Sequence, residues 1–153
     1  MTISAISSAA RTLPPRALEL IADALARGVD MRSIRFRRGE NRRYRQLIDA
    51  RDCNAWLIAW KASGALGMHD HGGSDGTVRV VAGQLVETYV DFADQTQPVT
   101  RVATAGQTLE VPSYRIHEVW NPGPNVAVSV HVYSPPLSDM EFFDRNLDGI
   151  IAG

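Results

Sequence analysis

The chain has 153 residues, 44% of them hydrophobic and 22% charged, with a formal net charge of −1. That length supports one domain with a real core and leaves little room for a second. The near-neutral charge gives no global pull toward nucleic acid or an anionic membrane, and a single cysteine, Cys53, excludes an internal disulfide. The opening run MTISAISSAA has no charged segment leading into an apolar one, so it reads as a frayed terminus rather than a secretion signal. No stretch is apolar for long enough to span a bilayer. These features describe a soluble, cytoplasmic protein with no nucleic-acid or membrane partner; they leave its oligomeric state open.

Residues 14–28, PPRALELIADALARG, predict a helix. Two prolines suit its first turn, Leu18, Ile21, Ala22 and Leu25 recur at helical spacing, and Gly28 is placed to end it. Residues 32–45, RSIRFRRGENRRYR, hold seven arginines. They form either a nucleic-acid patch or a solvated edge balanced by acids elsewhere, and the net charge favours the edge. From there the period changes. YRQLID, AWLIAW, TVRVVAG, LVETYVDF, VTRVA, TLEVP, HEVW and VAVSVHVYS are short, β-branched or aromatic, and mostly separated by Gly, Pro, Asn or Asp. Such a series predicts a sandwich or small barrel. The tail PPLSDMEFFDRNLDGIIAG has room for one helical turn.

The four histidines are the chemically pointed feature. His69 and His71 flank one aspartate in GMHDHGGSDG. On a strand they would share a face, with Cα atoms about 7 Å apart, close enough for their rings to converge on one ion; the alternative is two solvated histidines at a polar strand end. His117, in VPSYRIHEVWN, follows about 45 residues later after a Gly…Pro turn. An i, i+2 pair with such a third histidine is a recurrent metal pattern. His131 lies in VSVHVYSPP, a strong strand with a proline stop.

These residues resemble the cupin superfamily and, within it, the thiol dioxygenases of cysteine dioxygenase type. The first cupin motif is represented by Gly64, His69, His71 and Gly83, without the usual glutamate. The second is represented by Gly106, Pro112, His117 and Asn121, with Tyr114 where glycine is usual. Ser129, His131 and Tyr133, followed by Ser-Pro-Pro, match the family's Ser-x-His-x-Tyr triad. The resemblance runs from about Tyr44 to Leu137. It implies a mainly β, cupin-type small barrel (jelly roll) over about 42–136, preceded by the helix over about 14–28, in a single domain spanning 1–153.

The resemblance also implies a function. His69, His71 and His117 would hold one Fe(II) per chain with no carboxylate ligand, and three neutral imidazoles would leave the ion its full charge to favour a thiolate. A small thiol carboxylate, 3-mercaptopropionate or cysteine, would be oxidised by O2 to its sulfinate. Ser129, His131 and Tyr133 alternate onto one face of a strand and would form a hydrogen-bonded relay beside the iron. Gly76 stands near where some members carry a cysteine cross-linked to the tyrosine, so Tyr133 should be unmodified, and Cys53 reads as a small buried residue. In the family's Tyr-x-Arg stretch the arginine binds the substrate carboxylate. Here the stretch is Tyr44, Arg45, Gln46, which resembles the 3-mercaptopropionate dioxygenases, and Arg145 is a stand-in for a distal arginine. Tyr44, Gln46, Ile58 and Trp60 are expected to line the substrate pocket. The competing readings are a non-catalytic metal- or ligand-binding cupin and a cupin enzyme acting on carbon; the Ser-His-Tyr triad speaks against both.

Overall fold

The computed structural model describes residues 11–91 and 97–144. Residues 1–10, where a frayed terminus is expected, and Arg145 lie outside that range. Helix α1 spans Pro15–Arg27. Proline at its start has no amide hydrogen to leave unsatisfied, and the Gly28 amide closes the last turn onto Leu25 and Ala26. Leu18 and Ala22 point inward and are fully buried.

Among the described residues nine strands follow: β1 (Arg42–Asp49), β2 (Asn54–Trp60), β3 (Ala65–His69), β4 (Asp75–Ala82), β5 (Gln84–Asp91), β6 (Val99–Thr104), β7 (Thr108–Val111), β8 (Arg115–Trp120) and β9 (Ala127–Ser134). They form two antiparallel sheets, ordered β1-β2-β9-β4-β7 and β3-β8-β5-β6. Ile58, Trp60, Val78, Val80, Leu109, Val111 and Ala127 from the first sheet meet Leu85, Ala103 and Val119 from the second. On the outer face of the first sheet, Ala55, Leu57, Ala59, Val128, Val130 and Val132 pack under Leu18 and Ala22 of α1. An Arg79–Asp23 ion pair at 3.2 Å ties the helix to β4. Strand β9 therefore has a covered face on each side, and all eight of its residues are buried. Cys53 is buried in this same layer.

The expected closed barrel is not formed. Each sheet has two free ends, β1 and β7 in one, β3 and β6 in the other. The sheets are joined through side chains rather than a continuous ladder, and closure would need edge strands to pair. The turn between β4 and β5 is tight. Gly83 there has φ +71°, and a Cβ on it would lie 3.0 Å from the Ala127 backbone, so glycine is required on both counts. Of the tail where one helical turn is expected, residues 145–153 lie outside the described residues. Residues 135–144 contain no helical turn and lie against β2 and β3. Phe142 bridges His69, the Phe143 amide donates to Met68, and Asn54 pairs with both backbone groups of Leu137.

Candidate metal centre and its cavity

His69 closes β3 and is the register partner of His117 on β8. His71 lies just past the strand, before a turn built on Gly72 and Gly73. All three side chains are buried, and their Nε2 atoms converge: 3.1 Å between His69 and His71, 3.1 Å between His69 and His117, and 3.3 Å between His71 and His117.

Two of the three rings are set to offer Nε2 lone pairs to a cation rather than protons to one another. The His69 Nδ1 lies 2.7 Å from the carbonyl oxygen of Gly67. A carbonyl only accepts, so Nδ1 carries the proton and Nε2 presents a lone pair. The His117 Nδ1 lies 3.4 Å from Glu87 Oε2 without hydrogen-bond geometry, so the carboxylate favours a proton on Nδ1 through its charge alone. Burial, with mutual repulsion, holds His71 near a pKa of about 2 and His117 well below its ordinary value, and burial lowers His69 as well. Lone pairs that repel one another are satisfied by a cation. Nitrogens about 2.1 Å from one ion, at near right angles, stand about 3 Å apart, which is the spacing seen. The residues fit a metal held by three neutral imidazoles, a donor set suited to iron, zinc, copper or nickel.

Behind His117 lies a charged layer that sequence reasoning missed. Glu87 is fully buried. It pairs with Arg101 at 3.1 Å and Arg115 at 3.6 Å, and Arg115 also forks onto Asp91 at 2.7 and 3.0 Å. Burial pushes the Glu87 carboxyl up more than the two arginines pull it down. The available signal was an acid at the centre of an otherwise buried strand run, LVETYV.

Ser129, His131 and Tyr133 do lie on one face of β9. Ser129 Oγ is 2.7 Å from His131 Nε2, and His131 Nδ1 is 3.3 Å from Tyr133 Oη. The Trp60 indole donates to Ser129 Oγ at 2.9 Å. Because the indole can only donate, the serine proton is free to go to His131. Burial pushes the Tyr133 phenol up, so it stays protonated, and drops His131 to about 3, so it stays neutral. The Tyr133 ring lies 4.9 Å from that of His71. Gly76 is the register partner of Tyr133, and a Cβ on Gly76 would sit 3.0 Å from the tyrosine Cε1.

A cavity of about 280 Å³ opens beside the triad, lined by Arg42, Tyr44, Trp56, Ile58, Leu66, Tyr133, Leu137, Met140 and Phe142. It touches the metal-ligand side through Tyr133 and through Phe142, whose ring is 5.7 Å from His69. Its size is at the small end of ligand sites. Tyr44 and Ile58 line it as expected. Gln46 and Trp60 do not. Gln46 is exposed beyond the cavity, at the point where a bulge interrupts β1. Trp60 is fully buried one layer deeper, anchoring Ser129. Arg42, Leu137, Met140 and Phe142 were not expected; Arg42 shares the Tyr44 face two residues upstream, as strand alternation requires. Asn121 of the second motif is structural, its amide donating to the Trp60 and Asn125 carbonyls.

Residues 35–146 match the family described as cysteine dioxygenase type I. The chain is 27% identical over 126 residues to cysteine dioxygenase type 1 of Danio rerio, an alignment covering 73% of this chain and 61% of that protein. Among solved structures, an oxalate oxidase superposes with a TM-score of 0.59 at 17% identity, covering 68% of this chain and 56% of the other. The cupin domain of Schizosaccharomyces pombe Cnp3 superposes with a TM-score of 0.57 at 12% identity, covering 70% and 72%. At these identities the two superpositions speak to the fold alone. Among the described residues, no helix is long and apolar enough to cross a membrane.

Proposed function

The chain belongs to the cysteine dioxygenase type I family, and from that premise we propose that it is a non-haem Fe(II) thiol dioxygenase. It would carry one iron per chain, held by His69, His71 and His117. Its substrate would be a small thiol carboxylate, converted with O2 to the sulfinate. The carrying observation is the convergence of three imidazole Nε2 atoms next to a small cavity edged by Tyr133. A cytoplasmic setting, in which the buried Cys53 stays reduced, goes with this reading.

Fe(II), when bound, supplies the redox chemistry by which both oxygen atoms of O2 reach sulfur, in the balance RSH + O2 → RSO2H, with every electron drawn from the thiol. The protein supplies position and protons. The Gly67 carbonyl fixes the tautomer of His69, and the charge of Glu87 beside His117 Nδ1 favours the same tautomer there. Proton donation running from Trp60 to Ser129, to His131 and on to the Tyr133 oxygen leaves the tyrosine proton free to hydrogen-bond substrate in the cavity. Leu137, Met140 and Phe142 line the cavity with apolar surface.

Gln46 lies outside the cavity, so the preference between 3-mercaptopropionate and cysteine rests on the lining instead. No acid stands among the described residues that line the cavity, so the cysteine ammonium finds no counter-charge among them, and 3-mercaptopropionate is the better fit. Metal analysis of the purified protein, with oxygen uptake and sulfinate detection over a panel of thiols, tests the function. Iron at one per chain with stoichiometric sulfinate is expected. A metal-loaded protein that oxidises none of the thiols would overturn the enzymatic reading and leave a metal-binding cupin.

A further inference from the structure

Among the described residues the cavity is lined by aromatic and aliphatic groups with one cation, Arg42. Other arginines of the same run find acids: Arg32 meets Asp30 at 3.3 Å and Arg43 meets Glu40 at 3.8 Å. Among the described residues, Arg42 has no carboxylate within ion-pair distance. One nitrogen, Nη1, donates to the Ala65 carbonyl at 2.7 Å, and the guanidinium carbon sits 5.8 Å from the centre of the Trp60 ring. These contacts fix the plane of the fork and leave Nε and Nη2 without a protein partner among the described residues. Burial lowers the Arg42 pKa, yet a guanidinium stays charged in proteins. A cation partly withdrawn from water without a counter-charge is unfavourable. An anionic ligand supplies that charge, and a planar fork matches a carboxylate.

We propose that Arg42 is the specificity-determining residue of the cavity and anchors the carboxylate of the substrate, so that the ligand class is a small thiol acid with its anionic end toward β1 and its sulfur toward the histidines. This rests on the thiol dioxygenase reading for the sulfur end only. The position is not that of the family's Tyr-x-Arg arginine, which here is Gln46, exposed in the middle of β1; it lies on the other side of Tyr44. The plainer role for Arg42 is a staple joining β1 to the start of β3 through Ala65, and the two roles give different measurements.

The test is calorimetric titration of the iron-loaded protein under nitrogen with 3-mercaptopropionate and with its uncharged isostere, 3-mercaptopropionamide. Wild type should bind the acid about ten- to a hundredfold more tightly than the amide, the scale of a lost charge-assisted bond. Arg42→Gln should abolish that advantage and leave amide binding unchanged, whereas Arg42→Lys, a point charge without the fork, should keep part of it. Thermal melting checks that each variant is folded; if Arg42→Gln is not, the wild-type ratio and Arg42→Lys still decide. Equal wild-type affinities, or a loss in Arg42→Gln shared equally by acid and amide, would overturn the assignment in favour of the staple. Oxygen uptake by wild type with both thiols separates the two claims. Uptake without acid preference keeps the dioxygenase and removes the anchor. Acid-selective binding without uptake does the reverse.

Discussion

Two polar clusters face each other across the core, and they are built on opposite terms. On β3 and β8, three imidazoles aim lone pairs at one point, backed by a buried carboxylate and two arginines. On β2 and β9, Trp60, Ser129, His131 and Tyr133 form a neutral chain in which donors meet acceptors. The first cluster is satisfied only when a cation joins it; the second is satisfied by itself. Placing both next to one cavity separates the work: one side is able to hold a metal, the other presents a hydroxyl whose protonation does not change.

The sharpest way to break this contrast is to remove one converging nitrogen. His71→Ala should lose most of the bound iron, read by metal analysis. The metal-free variant should melt no lower than metal-free wild type, because deleting one of three repelling lone pairs relieves the cluster. Stoichiometric iron surviving the change would exclude the triad as the metal site.

Glu87→Gln tests the charged backing. It leaves Arg101 short of its buried counter-charge, while Arg115 keeps its fork onto Asp91. Breaking a buried pair typically costs about 3–5 kcal/mol, and the low end applies because Arg101 is partly exposed and able to turn to solvent. Metal affinity should fall about ten- to a hundredfold through the loosened His117 ring. Denaturant unfolding of the metal-free protein and a metal competition titration read the two effects separately. Unchanged affinity would mean that Glu87 serves the fold only.

Acid treats the two clusters alike, and the pH dependence has a definite sign. His71 and His131 sit at about 2 and about 3 in the fold against an ordinary 6.5. Below that ordinary value the unfolded chain takes up protons that the folded chain refuses. The metal-free protein should therefore hold its full stability above pH 6.5 and lose it as pH falls toward 3, by up to about 1.4 kcal/mol per pH unit for each histidine. Unfolding measured across that range should show this slope, and a flat profile would mean that water reaches the buried rings.

Much of this was legible from the chain. The helix announced itself through Pro15, Gly28 and a 3.6-residue apolar period, and the Ser-His-Tyr face followed from alternation on one strand. Strand β3, ALGMH, was not recognised because it holds no β-branched residue; it is a strand only because β8 supplies its partner. Arg42 was hidden among seven arginines, since composition does not tell an inward arginine from an outward one. The pleat does: once Tyr44 is placed at the cavity, residue 42 shares its face. The free sheet edges and the covering tail depend on contacts distant in sequence, for which local pattern carries no signal.

The smallest expected effect concerns Gly76, where the neutral cluster is tuned by space alone. A methyl group there would meet the Tyr133 ring at 3.0 Å, closer than ordinary van der Waals contact, so the ring must shift by a few tenths of an ångström. The His131–Tyr133 contact is already long at 3.3 Å, so a small shift is enough to weaken it. Gly76→Ala should keep full iron and melt within about 1–3 kcal/mol of wild type, the usual cost of modest overpacking. Its oxygen uptake should fall or uncouple from sulfinate in the direction of Tyr133→Phe, which removes the hydroxyl and leaves the ring. If Gly76→Ala and Tyr133→Phe both keep turnover and coupling intact, the tyrosine is a packing group and the relay has no catalytic part. Intact-mass and peptide analysis of the native protein should show no link at Tyr133, because residue 76 carries no side chain to form one. Glycine at that position thus leaves the phenol free, held by its neighbours and by nothing covalent.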